Sequence, residues 1–183
     1  ENKTVVRVVA GIIFFVLLIL ACVVQIEPGM VGVQKLFGKV SNNTLESGLN
    51  LINPLVRVVT FDIKTENYTM SGVHDEGTVQ GDDAIRVLSA DGLEVIVDLT
   101  VLYKVVPSEA PRILKEIGTD YKNVIVRPIC RTGIRDNAVY YDAVSLFSSK
   151  REEFQDRIFK AIESNFRDRG LLLEQLLVRN LTL

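Results

Sequence analysis

The side chains with the greatest capacity for chemistry are concentrated in one polar stretch, SGVHDEGTVQGDD, at residues 71–83. Its carboxylates and its imidazole are of types that bind metal cations. The candidates for such a site are His74, Asp75, Glu76, Asp82 and Asp83. Three glycines in the same stretch predict an exposed loop instead. We interpret it as a solvated acidic loop, and an enzyme or metal-binding module that uses this loop is the alternative.

The rest of the chain offers little other chemistry. His74 is the only histidine, so a zinc site with three histidines is excluded. The stretch GVQKLFGKV, residues 32–40, is a near miss for a phosphate-binding loop, because five residues rather than four separate its glycines and Val40 follows the lysine. Cys130 lies on an apolar-patterned helix and is interpreted as a buried structural thiol. We therefore predict no catalytic residue, no cofactor-binding residue and no metal ligand.

A continuous apolar segment dominates the N-terminal part of the sequence. Residues 8–26, VVAGIIFFVLLILACVVQI, contain no charge. As a helix they would be about 28 Å long, close to the roughly 30 Å of a bilayer's hydrocarbon core. We predict a transmembrane helix here, after a short flank at residues 1–7. A buried core helix and a cleaved signal peptide are the alternatives. The segment is retained and is apolar on every face, which favours a membrane anchor. The anchor residues are Val8, Ile12, Phe15, Leu18, Cys22 and Ile26.

The charge of the chain limits its partners. The 183 residues have a formal net charge of −2, and with Lys3, Arg7 and Glu1 set aside, 19 basic and 22 acidic residues follow the apolar segment. An acidic domain without a cluster of lysines and arginines is not expected to bind nucleic acid. The few charges on either side of the apolar segment do not decide which side of a membrane the domain occupies.

Alternating hydrophobicity predicts a sheet. In SADGLEVIVDLTVLYKV, residues 89–105, every second residue over 93–103 is apolar or aromatic, and this face is expected in the core. The dipeptide Asp91-Gly92 predicts a type I′ hairpin turn before the strand. The opposite, mostly polar face carries Glu94, Asp98 and Lys104.

Strands are also predicted from Met30 onward and over 56–65, with a loop at 41–48. Between them, LNLINPL places apolar residues beside a proline. Its apolar residues either fill the core or dip into the near leaflet of a membrane, and the sequence leaves both open. These residues are Leu49, Leu51, Ile52 and Leu55.

The second half of the chain is predicted to be mainly helical. We expect a short helix capped by Ser108, a second over 120–139 that Pro128 either kinks or breaks, and a third over 149–170 that Ser149 caps. The third is amphipathic, with an apolar stripe of Phe154, Ile158, Ile162 and Phe166. A final strand follows it, so the fold class is α+β.

The order of these segments is more specific than any one of them. After the apolar helix come EPGMVGVQKLFGKV, SGLNLINPL, the DG turn, EIGTDYKNVIVRPICR and KREEFQDRIFKAIESNFRDRGLLLEQLLVRNLTL. This order resembles the SPFH or band 7 superfamily, and most closely the prohibitins of bacterial type, through an IG-x-DY step at 117–121 and a P-x-x-R pattern at 128–131. The resemblance implies an SPFH/band 7 (prohibitin homology) domain over 27–183, with a mixed antiparallel sheet and packed helices after one transmembrane helix. A long coiled-coil helix usually follows in this family, and it is absent from this sequence.

The resemblance implies a scaffold rather than an enzyme. Prohibitin-like proteins oligomerise into large rings or cages that organise a membrane microdomain and modulate a membrane-anchored AAA+ quality-control protease. The implied partners are the lipid bilayer, copies of the chain or a homologous subunit, and that protease, with no cofactor. The bacterial relatives imply the cell inner membrane, a single-pass anchor and a folded domain on the periplasmic side. A stomatin-like regulator of a single channel or protease, without cage formation, is the alternative.

Packing of subunits side by side requires domain flanks that carry charges of both signs. Such charges occur on the polar face of the long strand and on the third helix. The residues expected to contact neighbouring subunits are Glu94, Asp98, Lys104, Arg151, Arg157 and Lys160.

Overall fold

The computed structural model describes residues 2–183, and the side chains of all of these except 2–4 and 8. The chain divides into two compact units, Glu1–Ile63 and Lys64–Leu183. Each unit contains its own antiparallel sheet structure, and helices are packed on the sheet of the second unit. The α+β class predicted from the sequence is confirmed.

The first unit begins with helix α1, Asn2–Ala21. The chain turns at Cys22 and continues as strand β1, Val23–Ile26, so the prediction of one helix over 8–26 is wrong at its C-terminal end. Apolar content alone did not reveal the change, because a short strand of β-branched residues continues the apolar run.

Strand β1 is held by pairing with a second short strand, β4, Gly48–Leu51. The pairing is antiparallel and runs from Val23 opposite Leu51 to Ile26 opposite Gly48. It supplies the backbone hydrogen bonds that a helix would otherwise provide. Ile26 is buried, so its expected role as an anchor residue is also wrong.

Three longer strands complete the first unit, as an antiparallel sheet in the order β3-β2-β5. They are β2 (Met30–Leu36), β3 (Lys39–Leu45) and β5 (Arg57–Asp62). The predicted strands near residue 30 and over 56–65 are confirmed, whereas the predicted loop at 41–48 is wrong because β3 occupies much of it. As an edge strand without a fully buried side chain, β3 lacks the alternation by which a strand is recognised.

The sheet of the second unit is built around one long strand. Its members are β6 (Glu66–Met70), β7 (Ile85–Leu88), β8 (Glu94–Val105) and β9 (Leu171–Thr182). Strand β8 pairs antiparallel with all three others, and with β9 over most of its length. A buried hydrogen bond of 2.9 Å between the hydroxyls of Thr69 and Thr100 links β6 to β8.

The predicted core face of β8 is confirmed from its second residue onward. The apolar positions from Val95 to Tyr103 are fully buried, but Leu93 is 47% exposed because it precedes the strand. The expected type I′ turn at Asp91-Gly92 is wrong, since Gly92 has a positive φ of 78° but Asp91 does not. The hydroxyl of Ser89 shapes the turn instead, by donating to Asp91 and accepting the Leu93 N–H.

Four helices connect or cover the strands of the second unit. They are α2 (Ala110–Glu116), α3 (Arg127–Ala138), α4 (Ala143–Phe147) and α5 (Arg151–Asp168). A 3₁₀ turn at Pro107–Glu109 precedes α2, and a π-helical segment at Lys122–Val126 precedes α3. The expected caps at Ser108 and Ser149 are not formed by their side chains, and α4 was not predicted.

The π-helical segment shows how the second predicted helix accommodates Pro128. A proline has no N–H, and in a regular α-helix its ring would clash with the carbonyl of Val124. The wider turn places the Arg127 N–H on the carbonyl of Lys122, five residues back. The second helix therefore continues past Pro128 with one changed turn rather than ending there.

Helix α5 is packed as its sequence predicted. The apolar stripe of Phe154, Ile158, Ile162 and Phe166 is completely buried, against β9 and α3. The ring of Phe166 meets that of Tyr103 edge to face, with centroids 5.9 Å apart. Close packing with α3 depends on Gly133, where a Cβ would lie 2.8 Å from Cγ1 of Ile162.

Candidate membrane and assembly surfaces

Helix α1 presents an exposed apolar surface. The predicted anchor residues Ile12, Phe15 and Leu18 are exposed, as are most of the large apolar side chains around them. The side chain of Val8 lies outside the described residues, and Cys22 is half-buried in the turn after the helix. Within the described residues, the structure contains no helix with the length and hydropathy needed to cross a membrane.

The leucines of LNLINPL lie on the surface of the first unit. Leu49 and Leu51 on β4 are 77% and 80% exposed, and Leu55 in the following turn is also exposed. Ile52 is half-buried, and its N–H donates to the carbonyl of Cys22, which directly follows α1. Filling of the core, one of the two roles left open by the sequence, is therefore excluded for the three leucines.

A second exposed apolar element in the same unit is the hairpin between β2 and β3. Leu36 pairs with Lys39, so Phe37 and Gly38 form a two-residue turn. Both have positive φ angles, 47° and 91°, as a type I′ turn requires. Phe37 is 86% exposed. The sequence analysis missed this turn because the left-handed conformation favours glycine, asparagine and aspartate over phenylalanine.

The three charges on β8 have different environments, although all were expected to contact neighbouring subunits. Glu94 is exposed, at the start of the strand. Asp98 is buried and accepts the Gly72 N–H at 2.9 Å, so the expectation for this residue is wrong. Lys104 forms an ion pair of 2.7 Å with Glu174 on β9. Glu94 is therefore the most accessible of the three for a contact with another subunit.

The three basic residues on α5 also differ. Arg151 donates to the carbonyl of Val178 at 2.9 Å, and Arg157 donates to Asn137 and lies over the ring of Tyr140. Lys160 is exposed on the same helix. Arg151 and Arg157 thus stabilise the second unit internally, and Lys160 is the basic side chain most accessible to a neighbour.

The polar stretch at 71–83 is an irregular loop, but it is not wholly solvated. Asp83 at its end is only 3% exposed. Its carboxylate accepts hydrogen bonds of 2.5 Å from both Arg127 and Arg131, on the first turns of α3. Burial opposes ionisation of Asp83, but the two arginines outweigh it and lower the pKa of this carboxyl. The loop is therefore tied to the helix by a buried ion-pair network.

The remaining candidate cation ligands of the loop do not converge. Asp82 pairs with Arg86, Glu76 pairs with Arg179 at 3.2 Å, and His74 and Asp75 are exposed. No group of three or more histidine, cysteine or carboxylate side chains that could hold a metal ion occurs in the part of the chain described here. The individual arginine partners account for most of these acidic side chains.

Two buried tyrosines and a buried cysteine lie beside this network, between the sheet and α3. Tyr68 and Tyr103 are buried, and neither hydroxyl has a hydrogen-bond partner among the residues that the structure describes. Burial raises the pKa of both, and the carboxylate of Asp83 also raises that of Tyr68. Cys130 is fully buried, which raises the pKa of its thiol and makes it a poor nucleophile. Its predicted structural position is confirmed.

The sequence analysis did not find the Asp83 network. Its two arginines follow Asp83 by 44 and 48 residues, so no local pattern joins them. One signal was present, because the P-x-x-R pattern places Arg131 one turn after Pro128, on the same helix as Arg127. What the sequence lacks is any indication that this helix face meets the end of the polar loop.

A comparison with protein families agrees with this architecture. Residues 24–183 match the family described as SPFH domain / Band 7 family, and this match covers the second unit and the part of the first unit from residue 24 onward. Proteins of this family are generally membrane-associated scaffolds without enzymatic activity. No curated protein matches the chain. The matched region comprises most of the sequence, and the chain belongs to the SPFH domain / Band 7 family.

Proposed function

We propose that this chain is a prohibitin-like scaffold subunit that attaches to the bacterial inner membrane through α1 and assembles into a large ring or cage. The observation that carries the proposal is the direct connection between an exposed apolar helix and an SPFH domain. Only the turn at Cys22 separates α1 from β1, and the family match begins at residue 24. A domain attached so closely has little freedom to move away from the surface that holds the helix.

The exposed leucines support this attachment. The Ile52 N–H donates to the carbonyl of Cys22 at 2.7 Å, and this bond ties the segment that contains Leu51 to the end of α1. Three exposed leucines near one apolar helix form a surface for which water is a poor solvent. Contact with the near leaflet would remove this surface from water at about 25 cal/mol per Å².

Assembly of many such subunits would enclose a patch of membrane and the proteins within it. In this proposal the ring organises a membrane microdomain and modulates a membrane-anchored AAA+ quality-control protease. The folded domain lies on the periplasmic side. These three statements rest on the resemblance to bacterial prohibitins.

The experiment that tests the proposal is a size measurement. The protein is solubilised in mild detergent and analysed by light scattering and electron microscopy. Large closed particles of uniform size are the expected result. Monomers in light scattering would overturn the proposal, and small oligomers without a closed shape would favour a stomatin-like regulator of a single channel or protease.

The membrane side requires a separate experiment. Protease is added to spheroplasts, in which the periplasmic face is accessible and the cytoplasmic face is not. Cleavage in intact spheroplasts is expected. Protection that is lost only after the membrane is permeabilised would place the folded domain in the cytoplasm and would contradict this part of the proposal.

A further inference from the structure

The tip of the β2–β3 hairpin combines backbone strain with exposure. Phe37 is the only non-glycine residue with a positive φ among those described. This conformation is unfavourable for a residue with a Cβ, because the Cβ lies too close to the following carbonyl oxygen. Its ring is 86% exposed and so gains little from burial in return. A strained residue that the fold leaves uncovered suggests a contact outside the chain.

The surroundings of Phe37 indicate what that contact is. An open cavity of about 360 Å³ is lined by Lys35, Phe37, Gly38, Leu55 and Arg57. Lys35 and Arg57 lie opposite each other on β2 and β5, so two cations flank the same cavity. Lys39 adds a third exposed cation directly after the turn.

These cations have no acidic partner in the described part of the chain. None of the ion pairs found there involves Lys35, Lys39 or Arg57. The first unit is otherwise poor in charge, so the tip is a local positive site on a chain whose net charge is −2. A site of this kind attracts anions.

An anionic phospholipid matches both features of the tip. Its phosphate suits the paired cations, because a guanidinium and an ammonium bind phosphate oxygens through charge-assisted hydrogen bonds. Its acyl chains suit exposed aromatic and aliphatic side chains at the edge of the bilayer. A free phosphate would use the cations but would leave Phe37 and Leu55 in water.

We propose that the hairpin tip binds anionic phospholipid headgroups, with Lys35 and Arg57 on the phosphate and with Phe37 and Leu55 in the outer edge of the hydrocarbon region. The proposal rests on the membrane attachment argued above and adds selection by lipid charge. It assigns the strained Phe37 a role that the packing of its own unit does not provide.

The sequence offers a direct probe, because the chain contains no tryptophan. The variant Phe37→Trp therefore carries a single tryptophan, at the tip, whose fluorescence can be excited selectively, and Leu55→Trp provides a second, independent position. The full chain is reconstituted into vesicles of phosphatidylcholine alone or mixed with phosphatidylglycerol, each with brominated acyl chains as quenchers. We expect a blue shift and strong quenching with phosphatidylglycerol, and less of both with phosphatidylcholine alone.

A matched pair of charge variants tests the role of the cations. In the Phe37→Trp background, Lys35→Gln with Arg57→Gln should lower the ratio of docked to undocked tips on anionic vesicles by about 30-fold, since each of the two basic residues near such a surface contributes about 1 kcal/mol. Arg135→Gln with Arg169→Gln removes the same charge from exposed positions of the second unit and should change little.

Four results would contradict the proposal. Equal quenching on neutral and anionic vesicles would exclude selection by lipid charge, and a difference that survives removal of Lys35 and Arg57 would exclude these two residues as its cause. Absence of quenching on both vesicles, at both Phe37→Trp and Leu55→Trp, would exclude docking of the tip. Inorganic phosphate that reproduces the shift on neutral vesicles would assign the site to free phosphate. Particle size by light scattering, measured on the same variants solubilised in mild detergent, reports separately on the proposed scaffold function.

Discussion

Arg131 contacts Asp83 twice, because its Nη2 lies 2.5 Å from the carboxylate oxygen Oδ1 and 2.8 Å from the main-chain carbonyl oxygen. Arg127 donates to the same Oδ1. One buried carboxylate thus joins the end of the 71–83 loop to two successive turns of helix α3. This network therefore helps to order the 71–83 loop, whose own sequence is rich in glycine and polar residues.

Replacement of Asp83 by asparagine should destabilise the second unit strongly. Asp83→Asn keeps the shape but leaves two arginines without their counter-charge. Removal of one partner from a fully buried ion pair costs about 3–5 kcal/mol. Because both arginines are partly exposed, we expect about 2 kcal/mol, measured as the free energy of unfolding by denaturant. Asp75→Asn, in the exposed part of the same loop, is the control, and an equal effect of both variants would contradict the assigned role of Asp83.

The same network predicts a pH dependence. The pKa of Asp83 is lower in the folded protein than its ordinary value of 3.8, so folding favours its ionised form. This contribution to stability is fully present above the unfolded pKa and is lost as the pH falls through the lower, folded pKa. The stability difference between the natural chain and Asp83→Asn should therefore be constant near neutrality and should shrink below about pH 4. Unfolding by denaturant at a series of pH values measures it, and a difference that grows on acidification would contradict the assignment.

The sequence predicted best those elements in which a periodic pattern extends over many residues. The alternation of β8 and the i, i+4 stripe of α5 both identified residues that are now fully buried. In these elements each local preference agrees with the tertiary packing, so the pattern is a sufficient guide. The prediction failed at Leu93 because alternation does not say where along the chain the strand begins.

Shorter elements depend on partners that the sequence does not identify. Strand β1 has the composition of the helix before it, and only its pairing with β4 makes it extended. Asp98 was expected on the surface because it alternates with the buried residues of β8. It is buried instead, and its carboxylate accepts a hydrogen bond from the Gly72 N–H. The candidate sites share this difficulty, since Asp83 and its arginines are distant in sequence and Phe37 occupies a turn position that phenylalanine disfavours.

The backbone strain at Phe37 predicts that a variant at this position can be more stable and yet bind anionic phospholipid less well. Asparagine tolerates the left-handed conformation better than phenylalanine, so Phe37→Asn should raise the free energy of unfolding by about 1 kcal/mol. The same change should abolish the quenching by anionic vesicles of a tryptophan at position 55. Phe37→Ala is the control, because it removes the ring but keeps the strain. A stability loss in Phe37→Asn would indicate that the ring supports the fold instead.

The close approach of α3 and α5 at Gly133 predicts a cost for even the smallest side chain. The Cβ of Gly133→Ala would lie 2.8 Å from Cγ1 of Ile162, so the helices must separate or the isoleucine must change its rotamer. Overpacking of this kind costs about 1–3 kcal/mol. In a double-mutant cycle, Ile162→Ala should recover part of the loss, because it removes the opposing atoms. Strictly additive free energies of unfolding would show that the two residues do not interact.

The accessible charges of opposite sign predict how assembly depends on electrostatics. Glu94 and Lys160 are exposed, and neither takes part in an ion pair within the described residues. If neighbouring subunits pair such charges, Glu94→Lys and Lys160→Glu should each reduce the fraction of large particles in light scattering of the full-length protein. The reduction should be greatest at low ionic strength, where charges act over a longer distance, and the thermal stability of the domain should be unchanged.

Asp75→Lys reverses an exposed charge on the 71–83 loop and is expected to leave the particle size as it is. Unchanged particles in both Glu94→Lys and Lys160→Glu would exclude these two flanks as the contact, since a reversed charge placed directly opposite a like charge in a packed interface is repulsive.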